Sequence, residues 1–97
     1  MDSRYVKFLG ICNYGGPNCA AVMSADARRT AAYLHRYHAF EFVLKTQWSK
    51  SEIRKYLVNL QRAAQEEYGY DREVCMTFYI GYDDGKDRIA KVEFRVV

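Results

Sequence analysis

Apolar and polar residues largely alternate in three stretches of this chain, 40–46, 74–82 and 88–97. A period of two places one row of side chains in a core and the other row on the opposite face of a sheet, so each stretch is predicted to be a half-buried strand. An Asp-Gly turn sequence at 83–86 joins the last two strands and predicts a hairpin. Residues 4–12 are rich in aromatic and β-branched side chains, which favours a further strand near the N-terminus.

The segment between the first strand and the strand at 40–46 is predicted to contain an amphipathic helix, because apolar residues lie on one side and most of the arginines on the other. Ser24 is the expected N-cap, Asp26 lies in the first turn, where the helix dipole favours an acid, and the helix is predicted to end at Arg36 or Tyr37. The glycines and proline of 13–18 predict a turn before it. Residues 19–23 fit either a second strand or a loop.

A second amphipathic helix is indicated by Ser49-Lys50-Ser51-Glu52, which has the residue types and the spacing of a capping box. Apolar residues recur on one side of this helix, and basic residues occupy the other side. The helix is predicted to end near Tyr68, with Gly69 at the position that commonly terminates a helix.

These elements follow one another in the order β(β)αβαββ, where the bracketed strand stands for residues 19–23. Each strand offers one apolar face, and two amphipathic helices are available to cover it, so we predict a single α+β domain over residues 1–97. The expected architecture is a two-layer sandwich with both helices on one face of a four- or five-stranded antiparallel or mixed sheet. The pattern does not determine the order of the strands in the sheet.

The composition is that of an ordinary globular domain, with 97 residues, 49% of them apolar and 28% charged. No stretch approaches the roughly 20 apolar residues that span a bilayer, and the apolar run near the N-terminus is too short for a signal peptide. Three cysteines form an odd and sparse set, which does not indicate a disulfide framework. We therefore expect a cytoplasmic protein that does not contact a membrane.

The positive charge is concentrated in the middle of the chain. The formal net charge is +3, but residues 28–62 contain eight lysines and arginines and two acids, a balance of +6 that leaves −3 for the remainder. If both helices cover the same side of the sheet, their outward sides form one basic surface. This surface, called here the basic helix surface, is predicted to consist of Arg28, Arg29, Arg36, Arg54, Lys55, Val58 and Arg62.

Two features of the basic helix surface favour recognition of another macromolecule. Most of its members are arginines, whose planar guanidinium groups suit carboxylates and phosphates. Val58 lies among them, and an apolar residue inside a charged rim resembles the centre of an interface. The alternative interpretation is an ordinary solvated helix surface, which lysine and arginine populate by default.

The sheet face turned away from the helices is a second candidate surface. Tyr79 could stack on an exposed base there, but the aromatic and basic strand motif of RNA-recognition sheets is absent. Dimerisation through this face fits the same residues. They are Val43, Lys45, Thr77, Tyr79, Lys91, Glu93 and Arg95.

No motif for catalysis or for a cofactor stands out. Cys12, Cys19, His35 and His38 offer four metal-ligating side chains, but the cysteines are separated by six residues, more than the two to four that a zinc knuckle uses. Cys75 alternates along a predicted strand, as a small apolar filler would. We expect no enzyme activity, no metal site and no cofactor.

The leading hypothesis is a small non-catalytic protein-binding module, an inhibitor or adaptor that docks an acidic surface of a larger complex. Its size and its lack of catalytic motifs are typical of the accessory proteins of phages and mobile elements. The alternative is a nucleic-acid-binding protein whose arginines contact the phosphate backbone. A homodimer is compatible with both hypotheses, and the sequence does not identify the partner.

Overall fold

The computed structural model describes residues 6–14, 19–83 and 87–97. Of the turns predicted at 13–18 and 83–86, residues 15–18 and 84–86 lie outside these ranges, as does the start of the first predicted strand. Residues 13, 14 and 83, predicted as parts of these turns, lie at the ends of strands instead. The predicted α+β class is confirmed, because two helices pack against a sheet in which two of the three described strand pairings are antiparallel. The elements are β1 (Val6–Tyr14), α1 (Cys19–Tyr37), β2 (Ala39–Thr46), α2 (Lys50–Tyr68), β3 (Val74–Asp83) and β4 (Asp87–Val96).

The sheet is built around β4, which pairs antiparallel with β2 on one side and with β3 on the other. β1 lies parallel to β2, so the order of the described strands is β1-β2-β4-β3. The register between β1 and β2 shifts between Phe8 and Ile11, whereas β3 pairs with β4 from Val74 to Asp83 without a shift. The two edges of the sheet therefore differ in regularity.

The two helices are parallel neighbours on the same face of the sheet. β2 and β3 are each antiparallel to β4 and hence parallel to one another, as β1 and β2 are. Each helix connects two parallel strands, so it runs in the direction opposite to both of them. The two helices therefore run in the same direction. Two contacts agree with this direction, since Asp26 meets Tyr56 towards the starts of the helices and His35 stacks on Tyr68 at their ends.

The hydrophobic core lies between the helices and the inner face of the sheet. Phe94 in β4 stacks against Phe40 and Phe42 in β2, with ring centroids 5.1 and 6.2 Å apart. Leu57 and Leu60 of α2 are fully buried in the same cluster. Burying a large apolar side chain contributes about 1.5–3 kcal/mol, so this cluster holds the two layers together.

The start of α1 differs from the prediction. Residues 19–23, expected to be a strand or a loop, form the first turns of α1, which begins at Cys19 and not after Ser24. Three of these five residues are alanine or methionine, which are strong helix formers. Asp26, predicted for the first turn, consequently lies about two turns into the helix.

α1 ends at Tyr37, as predicted. His38 follows with a φ of 63°, in the left-handed region that histidine adopts more readily than most non-glycine residues. Its N–H donates to the carbonyl of Leu34 at 3.0 Å, and its carbonyl accepts from the N–H of Val96 at 2.9 Å. His38 therefore terminates α1 and directs the chain into β2.

The predicted boundaries of α2 are confirmed. The Ser49 hydroxyl accepts a hydrogen bond from the N–H of Glu52 at 3.2 Å, and the Glu52 carboxylate accepts one from the N–H of Ser49 at 3.1 Å. The helix ends at Tyr68, and Gly69 follows with a φ of 115°. The capping box satisfies backbone donors that the first turn of a helix would otherwise leave without a partner.

We expect this capping box to make the stability of the protein depend on pH. Hydrogen bonds from the backbone and then from the side chain of Ser49 lower the pKa of Glu52 below its ordinary value of 4.5. A lowered carboxyl pKa adds stability that is present above the unfolded-state pKa and is lost as the pH falls through the folded-state pKa.

The test is Glu52→Gln, which keeps a hydrogen-bond acceptor but removes the titration. The advantage of the wild type over this variant in free energy of unfolding, measured with urea, should shrink as the pH is lowered from neutral to below 4.5. An advantage that does not change over this range would contradict the role assigned to the Glu52 carboxylate.

Candidate recognition surface

The structure places all seven members of the basic helix surface on exposed positions of α1 and α2. The helices are neighbours on one face of the sheet, which is the arrangement that the surface requires. α1 contributes three arginines, and α2 contributes the other four members. Val58 is apolar and is 40% exposed.

A single row along α2 contains Arg54, Val58 and Arg62. Residues four apart are neighbours on a helix, so Val58 lies between the two arginines. Within the described ranges, no ion pair involves Arg54, Lys55 or Arg62. Their charges therefore face water and are available to a partner.

The arginines of α1 are held to different degrees. Arg28 lies 3.5 Å from the hydroxyl of Ser24, a contact that does not neutralise its charge. The guanidinium of Arg36 lies 5.8 Å from the centre of the Tyr37 ring. A shallow depression of about 160 Å³ lies beside it, and it is lined by Ala32, Tyr33, Arg36 and Tyr37.

Arg29 belongs to an internal network as well as to the surface. Its guanidinium contacts Oδ1 of Asp26 at 3.1 Å, and the hydroxyl of Tyr56 donates to Oδ2 of the same carboxylate at 2.5 Å. The Asp26 side chain is only 11% exposed. Part of the charge of Arg29 thus compensates a buried acid, so less of that charge is left to interact with other groups.

The local sequence pattern does not predict this link between the helices. It predicts that Asp26 lies in the first turn of α1, whereas Asp26 is a buried anchor that ties α1 to Tyr56 of α2. The position of Asp26 along the helix is the sequence feature that could have indicated its burial. Asp26 lies four residues before Thr30 and therefore on the same side of α1, and both residues are buried.

The open face of the sheet is charge-balanced. Lys91 lies 3.8 Å from Glu41, and Arg95 lies 2.5 Å from Glu93. The basic residues predicted for this face are thus partly compensated by acids beside them. Tyr79 is 71% exposed and borders a shallow depression of about 150 Å³.

Cys75 is half-buried on the same face and is not in a disulfide. Burial, and then the charge of Glu73, raises the pKa of the Cys75 thiol above 9.0, which keeps it protonated and weakly nucleophilic at neutral pH. The part of the chain with described side chains contains no group of three or more histidines, cysteines or acids that could hold a metal ion. The side chains of Cys12 and Cys19 lie outside that part.

The fold and its surfaces define a small α+β domain with a basic helical layer and a charge-balanced open sheet face. No protein-family model matches the chain, and no curated protein or solved structure matches it significantly. Neither described helix is long and apolar enough to cross a membrane.

Proposed function

We propose that this domain is a non-catalytic protein-binding module that docks an acidic surface of a partner through the basic helix surface. The observation that carries the proposal is the row of Arg54, Val58 and Arg62 on α2, exposed and without an ion pair among the described residues. Arginines of α1 lie on the neighbouring helix and extend the same positive surface.

The apolar residue in this row favours a protein partner. Val58 gains nothing from contact with water, whereas in a complex it would be desolvated inside a rim of charged groups. Arginine can bind a carboxylate through two parallel hydrogen bonds, so aspartates and glutamates on the partner match the rim.

The acids of the helices do not interrupt this surface at its centre. Asp26 is buried between the helices, Glu52 belongs to the capping box, and Glu66 and Glu67 lie near the end of α2. A surface region with charges of one sign attracts an oppositely charged partner and raises the association rate constant. This effect weakens as salt is added.

Such a module would act by occupying or bridging a partner, as an inhibitor or an adaptor, and we place it in the cytoplasm. An accessory role in a phage or mobile element fits a small domain of this kind. The same arginines would also meet a nucleic-acid backbone, and the experiment below separates the two classes of partner.

The experiment compares single charge reversals on and off the basic helix surface. Arg54→Glu and Arg62→Glu change the row on α2, whereas Arg72→Glu makes the same charge change at an exposed residue outside both helices. Each protein is used as bait in extracts of the native host, captured proteins are identified by mass spectrometry, and the captured protein is then purified and titrated.

We expect one acidic protein to bind the wild type and Arg72→Glu, and each helix variant to bind it at least about tenfold more weakly. The proposal is contradicted if no captured protein depends on Arg54 and Arg62. A shift of DNA or RNA by the wild type at low salt, lost in the helix variants and steeply weakened by added salt, would assign the surface to nucleic acid instead.

A further inference from the structure

β3 is an edge strand without the usual protection against pairing. Residues 74–82 contain no lysine, arginine, aspartate, glutamate or proline. Exposed edges in natural proteins are protected by charges, prolines or bulges, because a regular bare edge recruits another strand. The opposite edge, β1, has a register shift, whereas the pairing of β3 with β4 is unbroken.

The hydrogen bonds show which residues of β3 turn their backbone groups outward. The N–H of Val97 donates to the carbonyl of Glu73 at 2.8 Å, so the backbone of Glu73 faces β4. In an antiparallel ladder this direction alternates from one residue to the next. The N–H and C=O groups of Val74, Met76, Phe78 and Ile80 therefore point away from β4.

The contacts of Val74 confirm this direction independently. Its N–H donates to Oε1 of Gln65, and its carbonyl accepts from Nε2 of Gln61, both at 2.7 Å. Two side chains of α2 thus replace a neighbouring strand at Val74. Among the described residues no group does the same for Met76, Phe78 and Ile80, which we call the free edge of β3.

The side chains of the free edge are also incompletely covered. Met76, Phe78 and Ile80 pack against the core but are only half-buried, whereas Val92 and Phe94 on the adjacent β4 are fully buried. The apolar layer under the helices is therefore open at this edge of the sheet.

We propose that the free edge binds the same edge of a second copy of this chain. The two β3 strands pair antiparallel about a twofold axis at Phe78, so that Met76 lies opposite Ile80 of the second copy. Three outward residues from each strand then form about six interstrand hydrogen bonds. The half-buried apolar side chains of the two copies meet and continue the core across the axis.

The features of the strand favour a second copy as the occupant. A twofold interface places each residue of one patch against the same patch on the other molecule, so a charged patch would bring like charges together. The free edge has no charge, and its apolar residues at 76, 78 and 80 are arranged symmetrically about Phe78. This inference does not rest on the proposed function, because the basic helix surface lies on α1 and α2.

The first test uses two substitutions at Met76. Both Met76→Pro and Met76→Ala remove the thioether side chain, but only proline also removes the outward backbone N–H. An edge strand tolerates proline at a position where the N–H faces away from the sheet. Sedimentation velocity and light scattering over a concentration series measure the dimer dissociation constant, and circular dichroism checks that each variant is folded.

We expect the wild type and Met76→Ala to dimerise, and the dissociation constant of Met76→Pro to exceed that of Met76→Ala about thirtyfold. That factor corresponds to two lost hydrogen bonds, one from each copy, at about 1 kcal/mol each. A monomeric wild type at about 0.1 mM, a concentration where a weak specific dimer forms, would overturn the proposal. Equal dimerisation of the two variants would also overturn it.

A cross-linking experiment decides the matter if the proline variant does not fold. The Cα atoms of Phe78 and its twofold mate should lie about 5.5 Å apart, which suits a disulfide. Phe78→Cys should therefore give a covalent dimer on mild oxidation. Tyr79→Cys places the new cysteine one residue away, on the open face of the sheet. It should give no more covalent dimer than the wild type does. Equal cross-linking of the two variants would contradict pairing about Phe78.

Discussion

Replacing Phe94 by alanine should lower the free energy of unfolding by about 3–5 kcal/mol. Phe94 lies in β4, between the two strands that pair antiparallel with it, is fully buried, and stacks on both Phe40 and Phe42. Removing the ring loses the free energy gained by transferring it from water into the core. It also leaves a cavity, because the surrounding side chains are attached to regular strands and cannot readily move to fill it. Domains of this size are stable by only about 5–15 kcal/mol, so the variant would lose a large share of its stability.

Urea denaturation followed by circular dichroism measures this loss. The control is Tyr70→Ala, which also truncates an aromatic ring, but at a residue that is 75% exposed and outside the helices and strands. That change should stay within about 0.5 kcal/mol. A loss below about 1 kcal/mol for Phe94→Ala would show that Phe94 is packed more loosely against β2 than its ring contacts indicate.

Tyr56→Phe should cost about 1.5–3 kcal/mol, the range for a hydrogen bond to a charged group. The change removes one hydroxyl, whose partner is a carboxylate oxygen of Asp26 at 2.5 Å between the helices. The carboxylate would stay largely buried, with the guanidinium of Arg29 beside it, and would lose its donor from α2. Because this contact ties α1 to α2, its loss should also loosen the basic helix surface.

The matched control is Tyr70→Phe, which deletes the same hydroxyl at an exposed position. A double-mutant cycle with Asp26→Ala isolates the pair, because the two changes should be markedly non-additive if the residues act together. Additive losses would mean that the hydroxyl and the carboxylate stabilise the fold separately.

Features encoded by nearby residues could be predicted from the sequence. The capping box of Ser49 and Glu52 and the end of α2 at Gly69 depend on hydrogen bonds within a few residues, so the spacing of residue types was sufficient. The alternation in 74–82 and 88–97 likewise predicted which of the described side chains face the helices and which face the open side of the sheet, since that pattern follows directly from the pleat of a strand.

The start of α1 could not be predicted in this way. Residues 19–23 form a short apolar run without a clear period, and such a run is compatible with a strand, a loop or a buried helix. The structure places it in α1, where the residues after Ser24 continue the same helix. The helix propensity of its alanines and methionine, together with the helical residues that follow, favours the helix over the alternatives.

The chain by itself determined an α+β domain, the boundaries of α2 and the concentration of arginines on two helices, because these follow from composition and local periodicity. Only the tertiary structure decided that Asp26 joins the helices, that Arg29 is partly neutralised and that β3 is an edge. Each of these depends on segments far apart in sequence, as Asp26 and Tyr56 are, 30 residues from one another. Local patterns do not encode such distances, so the partners become visible only when the layers are packed together.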